Sequence, residues 1–188
     1  MMATLQLTHA PILNSSAQLL ILPVNTAGIL LDPILSRAKT LYPENYQRYY
    51  RACRDSSLAV GSCLLHKRSL EHAGLGISSN GNQPSYIANL VISDHPYHPT
   101  RLRWLMAALG DLQQQLIPLI RYQGIRRVAL LARPLIFNKP QQNSIDESNI
   151  ADLIPLDWHT HILPLLTQAL KDLPNIRIDI HLPKDITL

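Results

Sequence analysis

Residues 19–28 read LLILPVNTAG, and this stretch decides the fold class. Its first six residues are apolar, which predicts a buried strand over Leu19–Val24. Asp32 and Pro33 then supply a helix N-cap and a first-turn proline, so a helix is expected over about 33–41. A buried strand that runs through a polar turn into a helix is typical of α/β domains, which bind ligands at the carboxyl edge of their sheet.

Strands and helices alternate along the rest of the chain. Strands are predicted over Thr4–Leu7, Val60–Leu65, Ser85–Ile92, Val128–Leu131 and Ile176–His181. Helices are predicted over Glu44–Arg54, from a Thr100 N-cap to near Gly124, and from an Asp157 N-cap to about Asp172. Polar stretches predict exposed loops over His72–Pro84 and Asn138–Asn149. This order predicts a three-layer α/β/α sandwich with a mixed central sheet.

Side-chain spacing assigns the faces of two helices. The helix after Thr100 has a core stripe of Leu102, Leu105, Met106, Leu109, Leu112 and Leu116. Tyr42, Tyr46, Tyr49 and Tyr50 are assigned mainly to the core, although such rings can also stack a base.

The composition is that of a globular α/β protein. With 188 residues and 46% hydrophobic residues, one domain is expected over 1–188, with a polar insertion at about 138–149. No apolar run approaches the ~20 residues that span a bilayer, and the first residues, MMATLQLTHA, show neither a basic n-region nor a cleavage site. A cytoplasmic protein without a membrane partner is therefore expected. Cys53 and Cys63 exclude a disulfide scaffold and are expected to be buried thiols.

Charge and histidine content point to no cofactor. The net charge of +4 is mild for a dedicated nucleic-acid binder. The arginines of the second half of the chain fall on several faces, so single-stranded nucleic acid is the less favoured partner. The histidines that come closest to a metal pattern are His95, His98, His159 and His161, and their spacing is not a recognised ligand signature. We therefore expect no metal.

Several motifs in the same order carry a family resemblance. LLILPVNTAG is followed by LYPENYQRYYRAC at residues 41–53, and then by YIANL, GIRRVAL, LDW and ALKDLPNIRIDI. The chain thereby resembles the macro domain family, in particular the macro domains of DarG-type DNA ADP-ribosyl glycohydrolases. The resemblance implies that Asn25, Thr26 and Gly28 face a ligand and that Asn25 contacts its distal ribose. The residues themselves leave a second interpretation open, in which Asn25 only caps the end of a strand or turn.

The loops that hold phosphate in this family differ in the present chain. Leu31 and Pro33 stand where the resemblance implies glycines, and Asp32 places a carboxylate beside the anion. The second phosphate loop aligns with a glycine-free segment in which Arg133 remains as a possible anion ligand. The aspartate that the family uses for adenine aligns with Thr8-His9, so recognition of both the diphosphate and the adenine is expected to be weakened.

The lysine that DarG-type enzymes use for catalysis is also missing. Ser93 stands in its place, with Asp94 and His95 beside it. A histidine next to an aspartate can act as a general acid or base, but adjacent side chains of a strand end point in different directions. We therefore expect no catalytic residue, with Ser93 and His95 retained as ligand-binding candidates.

Three functional hypotheses follow. The first is weak binding of ADP-ribose, a related nucleotide or an ADP-ribosylated partner, and the second is a protein interaction or regulatory module that uses an apolar groove of Leu30, Leu31 and Ile136. A residual glycohydrolase is the least favoured. The first predicts an open cleft at Asn25, whereas the second predicts that Leu31, Pro33 or residues 138–149 fill it.

Overall fold

The computed structural model describes residues 2–69, 83–136 and 156–188. The strands are β1 (Thr4–Thr8), β2 (Leu19–Asn25), β3 (Cys63–Lys67), β4 (Tyr86–Ser93), β5 (Arg127–Leu131) and β6 (Arg177–His181). The helices are α1 (Pro33–Leu41), α2 (Pro43–Arg54), α3 (Leu102–Tyr122), the short α4 (Arg133–Ile136) and α5 (Leu163–Leu170). A 3-10 turn at Ile12–Asn14 follows β1, and a π-helical turn at Trp158–Ile162 leads into α5.

The strands form a six-stranded mixed sheet in the order β1-β6-β5-β2-β4-β3. All neighbouring strands are parallel except β3, which pairs antiparallel with β4. The predicted mixed sheet is therefore confirmed. Because β2 lies between β4 and β5, its end at Asn25 is near the middle of the sheet's carboxyl edge.

Both faces of the sheet are covered. Leu19 and Ile21 pack with α3 and α5 on one face, whereas Leu20 and Leu22 pack with α1 on the other. This alternation follows from the two-residue period of a strand. The three-layer α/β/α sandwich is confirmed, and α1 brings its N-terminus to the carboxyl edge beside β2.

Two predicted element boundaries need correction. The third strand begins at Cys63 and not at Val60, because Gly61 adopts a left-handed backbone with φ +84° that turns the chain first. Thr100 does not cap α3, because its hydroxyl donates to the carbonyl of Ile92 and Arg101 takes the N-cap position.

Several side chains assigned to the core lie at the surface. Leu102 and Met106 are 47% and 53% exposed, because the buried stripe of α3 runs through Leu105 and Ala108 instead. Tyr50 is 41% exposed, although Tyr42 and Tyr49 are buried as expected. Of the two cysteines, Cys63 is buried and Cys53 is half-buried.

Some predictions concern residues outside the described ranges. The loop at 138–149 and nearly all of the loop at 72–84 lie outside the described residues, so the single-domain organisation stays a prediction. Within the described ranges, no helix is both long and apolar enough to cross a bilayer.

Candidate functional site

A cavity of about 270 Å³ opens at the carboxyl edge of the sheet, between the ends of β2 and β4 and the start of α1. Among the residues that line it are Asn25, Leu31, Asp32, Ser93 and Arg133. Leu31 and Pro33 form part of its wall without closing it. Leu31 and Pro33 therefore leave the cleft at Asn25 open, whereas residues 138–149, which the second hypothesis also expected to fill it, lie outside the described residues.

Asn25 lies at the base of this cavity and is buried. Its side-chain amide donates to the carbonyl of Ile29 at 2.8 Å, and its side-chain oxygen accepts the backbone N–H of Ala27 at 3.0 Å. Asn25 thus caps the turn after β2, as the second interpretation of the sequence expects. Since an amide NH₂ carries two protons and its oxygen two lone pairs, each end keeps capacity for one more hydrogen bond.

The turn after Asn25 takes its shape from Gly28. The backbone of Gly28 has φ +75°, and a Cβ there would lie 3.1 Å from the ring of Tyr50. Thr26 is tied to the end of β4, with its backbone N–H donating to Ser93 at 3.1 Å. Neither Thr26 nor Gly28 is among the residues that line the cavity, so the structure gives both a backbone role in the turn.

Helix α2 contacts this turn through two of its side chains. Tyr49 is buried, and its hydroxyl donates to the main-chain carbonyl of Asn25 at 2.5 Å. The sulfur of Cys53 lies 3.8 Å from the same oxygen. Burial raises the pKa of the Tyr49 hydroxyl and that of the Cys53 thiol. The register between β2 and β4 shifts between Val24 and Asn25, so the end of β2 is irregular. The Tyr49 hydrogen bond stabilises this irregular end.

The sequence assigned Tyr49 to the core and missed this role. The available signal was its hydroxyl, because a tyrosine buried on a helix face usually places its O–H on a polar partner.

Ser93 contributes a buried hydroxyl to the cavity. The hydroxyl donates to the carbonyl of His95 at 3.0 Å, so this contact does not activate it as a nucleophile. The ring of His95 accepts the N–H of Tyr97 at 3.2 Å, and the Asp94 carboxylate contacts His98 at 3.0 Å. His95 is not among the cavity-lining residues. Each of the three side chains thus contacts a different partner, and Asp94 and His95 do not form an acid–base pair with Ser93.

Asp32 caps α1 as predicted and also forms an ion pair. One carboxylate oxygen accepts the N–H of Ile34 at 2.8 Å, while the other lies 2.9 Å from the Nε of Arg133. The Asp32 side chain is only 12% exposed, and that of Arg133 is 38% exposed. The arginine expected to bind an external anion thus already contacts an internal one.

A second cavity of about 500 Å³ lies on the other side of Arg133, beyond the ends of β1, β5 and β6. Its lining includes His9, Arg133, His181, Lys184 and Asp185 around an apolar floor. The volume is within the ordinary range for small-molecule sites.

Two histidines tie the segments around this second cavity together. His9 donates to the carbonyl of Ile186 at 2.6 Å, and His181 donates to that of Ala10 at 2.7 Å. Burial lowers the pKa of His181, opposed by its bond to Ala10 and by the charge of Asp179. Asp185 supplies an acid that the sequence did not place here, because it comes from the segment after β6.

No arrangement for a metal emerges from the described part of the chain. No group of three or more histidine, cysteine, aspartate or glutamate side chains lies close enough there to hold an ion. His161 instead accepts the backbone N–H of Asp157, whose carboxylate caps the π-helical turn through Thr160 at 2.9 Å.

Comparison with known proteins finds similar proteins among macro domains, including those of DarG. No family model matches the chain. A DNA ADP-ribosyl glycohydrolase from Thermus aquaticus is 26% identical over 131 residues, which cover 70% of this chain but only 32% of that protein. The chain therefore spans about a third of the curated relative that it matches.

Two solved structures share the fold across nearly the whole chain. The macro domain of Thermus aquaticus DarG aligns with a TM-score of 0.69 at 23% identity, covering 96% of this chain and 99% of that one. Thermosipho africanus DarTG in complex with ADP-ribose aligns with a TM-score of 0.70 at 20% identity, covering 98% of this chain and 43% of that one. These likenesses establish a macro-domain fold.

Proposed function

We propose that this chain, a macro domain by fold that resembles those of DarG, binds ADP-ribose, a related nucleotide or an ADP-ribosylated partner weakly and without catalysis. The observation that carries the proposal is the open cavity with Asn25 at its base. The Thermosipho africanus relative was solved with ADP-ribose, which supports the same class of ligand here.

The sugar end of the ligand is assigned to the first cavity. Asn25 keeps one donor and one acceptor site there, and Ser93 supplies a hydroxyl that can still accept a hydrogen bond. Ribose hydroxyls both donate and accept, so these two side chains are suited to a ribosyl group. The other end of a nucleotide is assigned to the second cavity, where the apolar floor suits a planar base and Asp185 can accept from an amino group.

Weak binding is expected because the phosphate-facing loop lacks the usual donors. Pro33 has no backbone N–H, and the N–H of Ile34 already donates to Asp32. Absence of catalysis is expected because Ser93 stands where the resemblance implies a lysine, and its proton is directed at a backbone carbonyl.

A second candidate function is a protein interaction module. Ile29 and Leu31 line the first cavity and are 43% and 54% exposed, so they offer apolar surface to a protein partner there. Leu30 and Ile136 pack against the core instead. Of the three residues expected to form an apolar groove, only Leu31 is therefore left to contact a partner.

Calorimetric titration with ADP-ribose tests the proposal. We expect binding by the native chain that is lost in Asn25→Ala and retained in Asn14→Ala, a matched change at an exposed asparagine outside both cavity linings. Absence of binding at millimolar ADP-ribose by the native chain contradicts the proposal and favours the interaction module.

A further inference from the structure

We infer that Asp32 is a built-in counter-ion that occupies Arg133 and thereby selects ligands without a phosphate between the two cavities. The inference rests on the proposed function, because it specifies the chemistry of the ligand that the cleft prefers. Its evidence is the pair of contacts that Asp32 makes within the first cavity.

The carboxylate of Asp32 satisfies two groups that would otherwise attract an anion. Its oxygens contact the N–H of Ile34 at 2.8 Å and the Nε of Arg133 at 2.9 Å. The first belongs to the N-terminus of α1, where the helix dipole favours negative charge, and the second is a guanidinium. At 12% side-chain exposure, Asp32 is largely withdrawn from water, so its charge is weakly screened at this point.

Arg133 lies between the two cavities, since it lines both. A ligand that occupies both cavities therefore lies against Arg133 and close to the Asp32 carboxylate paired with it. A phosphate there either displaces the carboxylate from Arg133 or lies beside a like charge, and both lower its affinity.

A ligand without that phosphate meets no such penalty. A carboxylate is an acceptor only, so Asp32 can accept a hydrogen bond from a sugar hydroxyl. The preferred ligand class is accordingly a ribosyl compound that is uncharged at the junction of the cavities.

Conservative variants separate charge from helix capping. Asparagine and serine are both good N-cap residues, so Asp32→Asn and Asp32→Ser remove the charge while retaining a cap for Ile34. Asp94→Asn is the matched control, because it removes one negative charge from the end of β4, where Asp94 contacts His98. Thermal unfolding of each variant verifies that it is folded before titration.

Titration with inorganic pyrophosphate at constant ionic strength tests the inference. We expect Asp32→Asn and Asp32→Ser to bind it roughly tenfold or more tightly than the native chain, because a like charge beside the anion has been removed. Asp94→Asn should stay within about twofold of the native chain, since exposed charges are screened. Adding Arg133→Gln to Asp32→Asn should abolish the gain.

Two results overturn the inference: pyrophosphate affinities of the native chain and both Asp32 variants within twofold, or an equal gain in Asp94→Asn. The outcome is distinct from that of the ADP-ribose titration. A pyrophosphate gain that depends on Arg133 supports the counter-ion role even if the native chain fails to bind ADP-ribose, whereas that failure contradicts the proposed function alone.

Discussion

The turn after β2 and the turn before α1 border the same cavity, yet they are held in place by different means. The first, from Asn25 to Gly28, depends on a hydroxyl of α2, because Tyr49 donates to the Asn25 carbonyl. The second, around Asp32, is held mainly by its own cap, because the carboxylate accepts the N–H of Ile34. The difference shows that the two ends of the site respond to different mutations, one to changes in a packed helix and the other to changes in its own sequence.

The comparison also separates shape from charge. The Asn25 turn needs an irregular backbone that includes a left-handed Gly28. The Asp32 turn has ordinary extended backbone at its cap, and what it adds to the cavity is a carboxylate next to Arg133. Substitutions in the first turn should therefore alter stability most, and those in the second should alter ligand charge preference most.

The largest effect is expected from Tyr49→Phe. Without its hydroxyl, residue 49 cannot donate a hydrogen bond to the carbonyl of the buried Asn25. This loss should lower the free energy of unfolding by about 1–3 kcal/mol. Urea denaturation measures this change. Tyr122→Phe at a 77% exposed ring is the control and should leave stability unchanged. Equal free energies of unfolding of the two variants would contradict the conclusion that the Tyr49 hydroxyl of α2 stabilises this turn.

The second largest effect is expected from Gly28→Ala. At φ +75° an alanine is strained by about 1–2 kcal/mol, and its Cβ would lie 3.1 Å from the Tyr50 ring. Gly110→Ala in α3 is a control of opposite sign, because a Cβ there meets nothing within 4 Å and alanine favours a helix by roughly 0.5–1 kcal/mol. Thermal unfolding of both variants distinguishes backbone strain from a general effect of the extra methyl group.

A smaller loss is expected at the second turn. Asp32→Ala removes the cap of α1 and should lower the free energy of unfolding by about 1 kcal/mol, whereas Asp32→Asn should change it by only a few tenths. The ion pair adds little to this difference, since Arg133 is 38% exposed. If Asn destabilises as much as Ala in chemical denaturation, the ion pair and not the cap holds this turn.

The smallest effect concerns pH at the second cavity. Because burial lowers the pKa of His181 below its ordinary 6.5, the unfolded chain binds the proton more readily. Stability should therefore fall as pH drops below 6.5, and this dependence should weaken in His181→Asn, which can retain a donor for Ala10. Denaturation of both proteins at pH 7.5 and 5.5 measures it, and an unchanged dependence in His181→Asn would contradict the assignment.

The role of a residue could be predicted from the sequence where its partner lies nearby along the chain, and not where the partner is distant. Asp32 and Asp157 were identified as caps because a cap bonds a backbone N–H within three residues along the chain. Thr100 is also a capping residue type just before a helix, but its hydroxyl donates instead to the carbonyl of Ile92, near the end of β4. The turn at Asn25 was recognised from its residues, whereas its support from Tyr49 depends on how α2 packs.

The sequence alone determined the alternation of strands and helices, the mixed three-layer fold and the position of the Asn25 turn, because strand period, capping residues and turn residues act locally. It also identified the replaced positions Leu31, Pro33 and Ser93. Only the tertiary structure decided that Asp32 pairs with Arg133 and that Asp185 enters the second cavity. These residues are far apart along the chain, and the parallel strands of the sheet, whose carboxyl ends lie at one edge, bring them together.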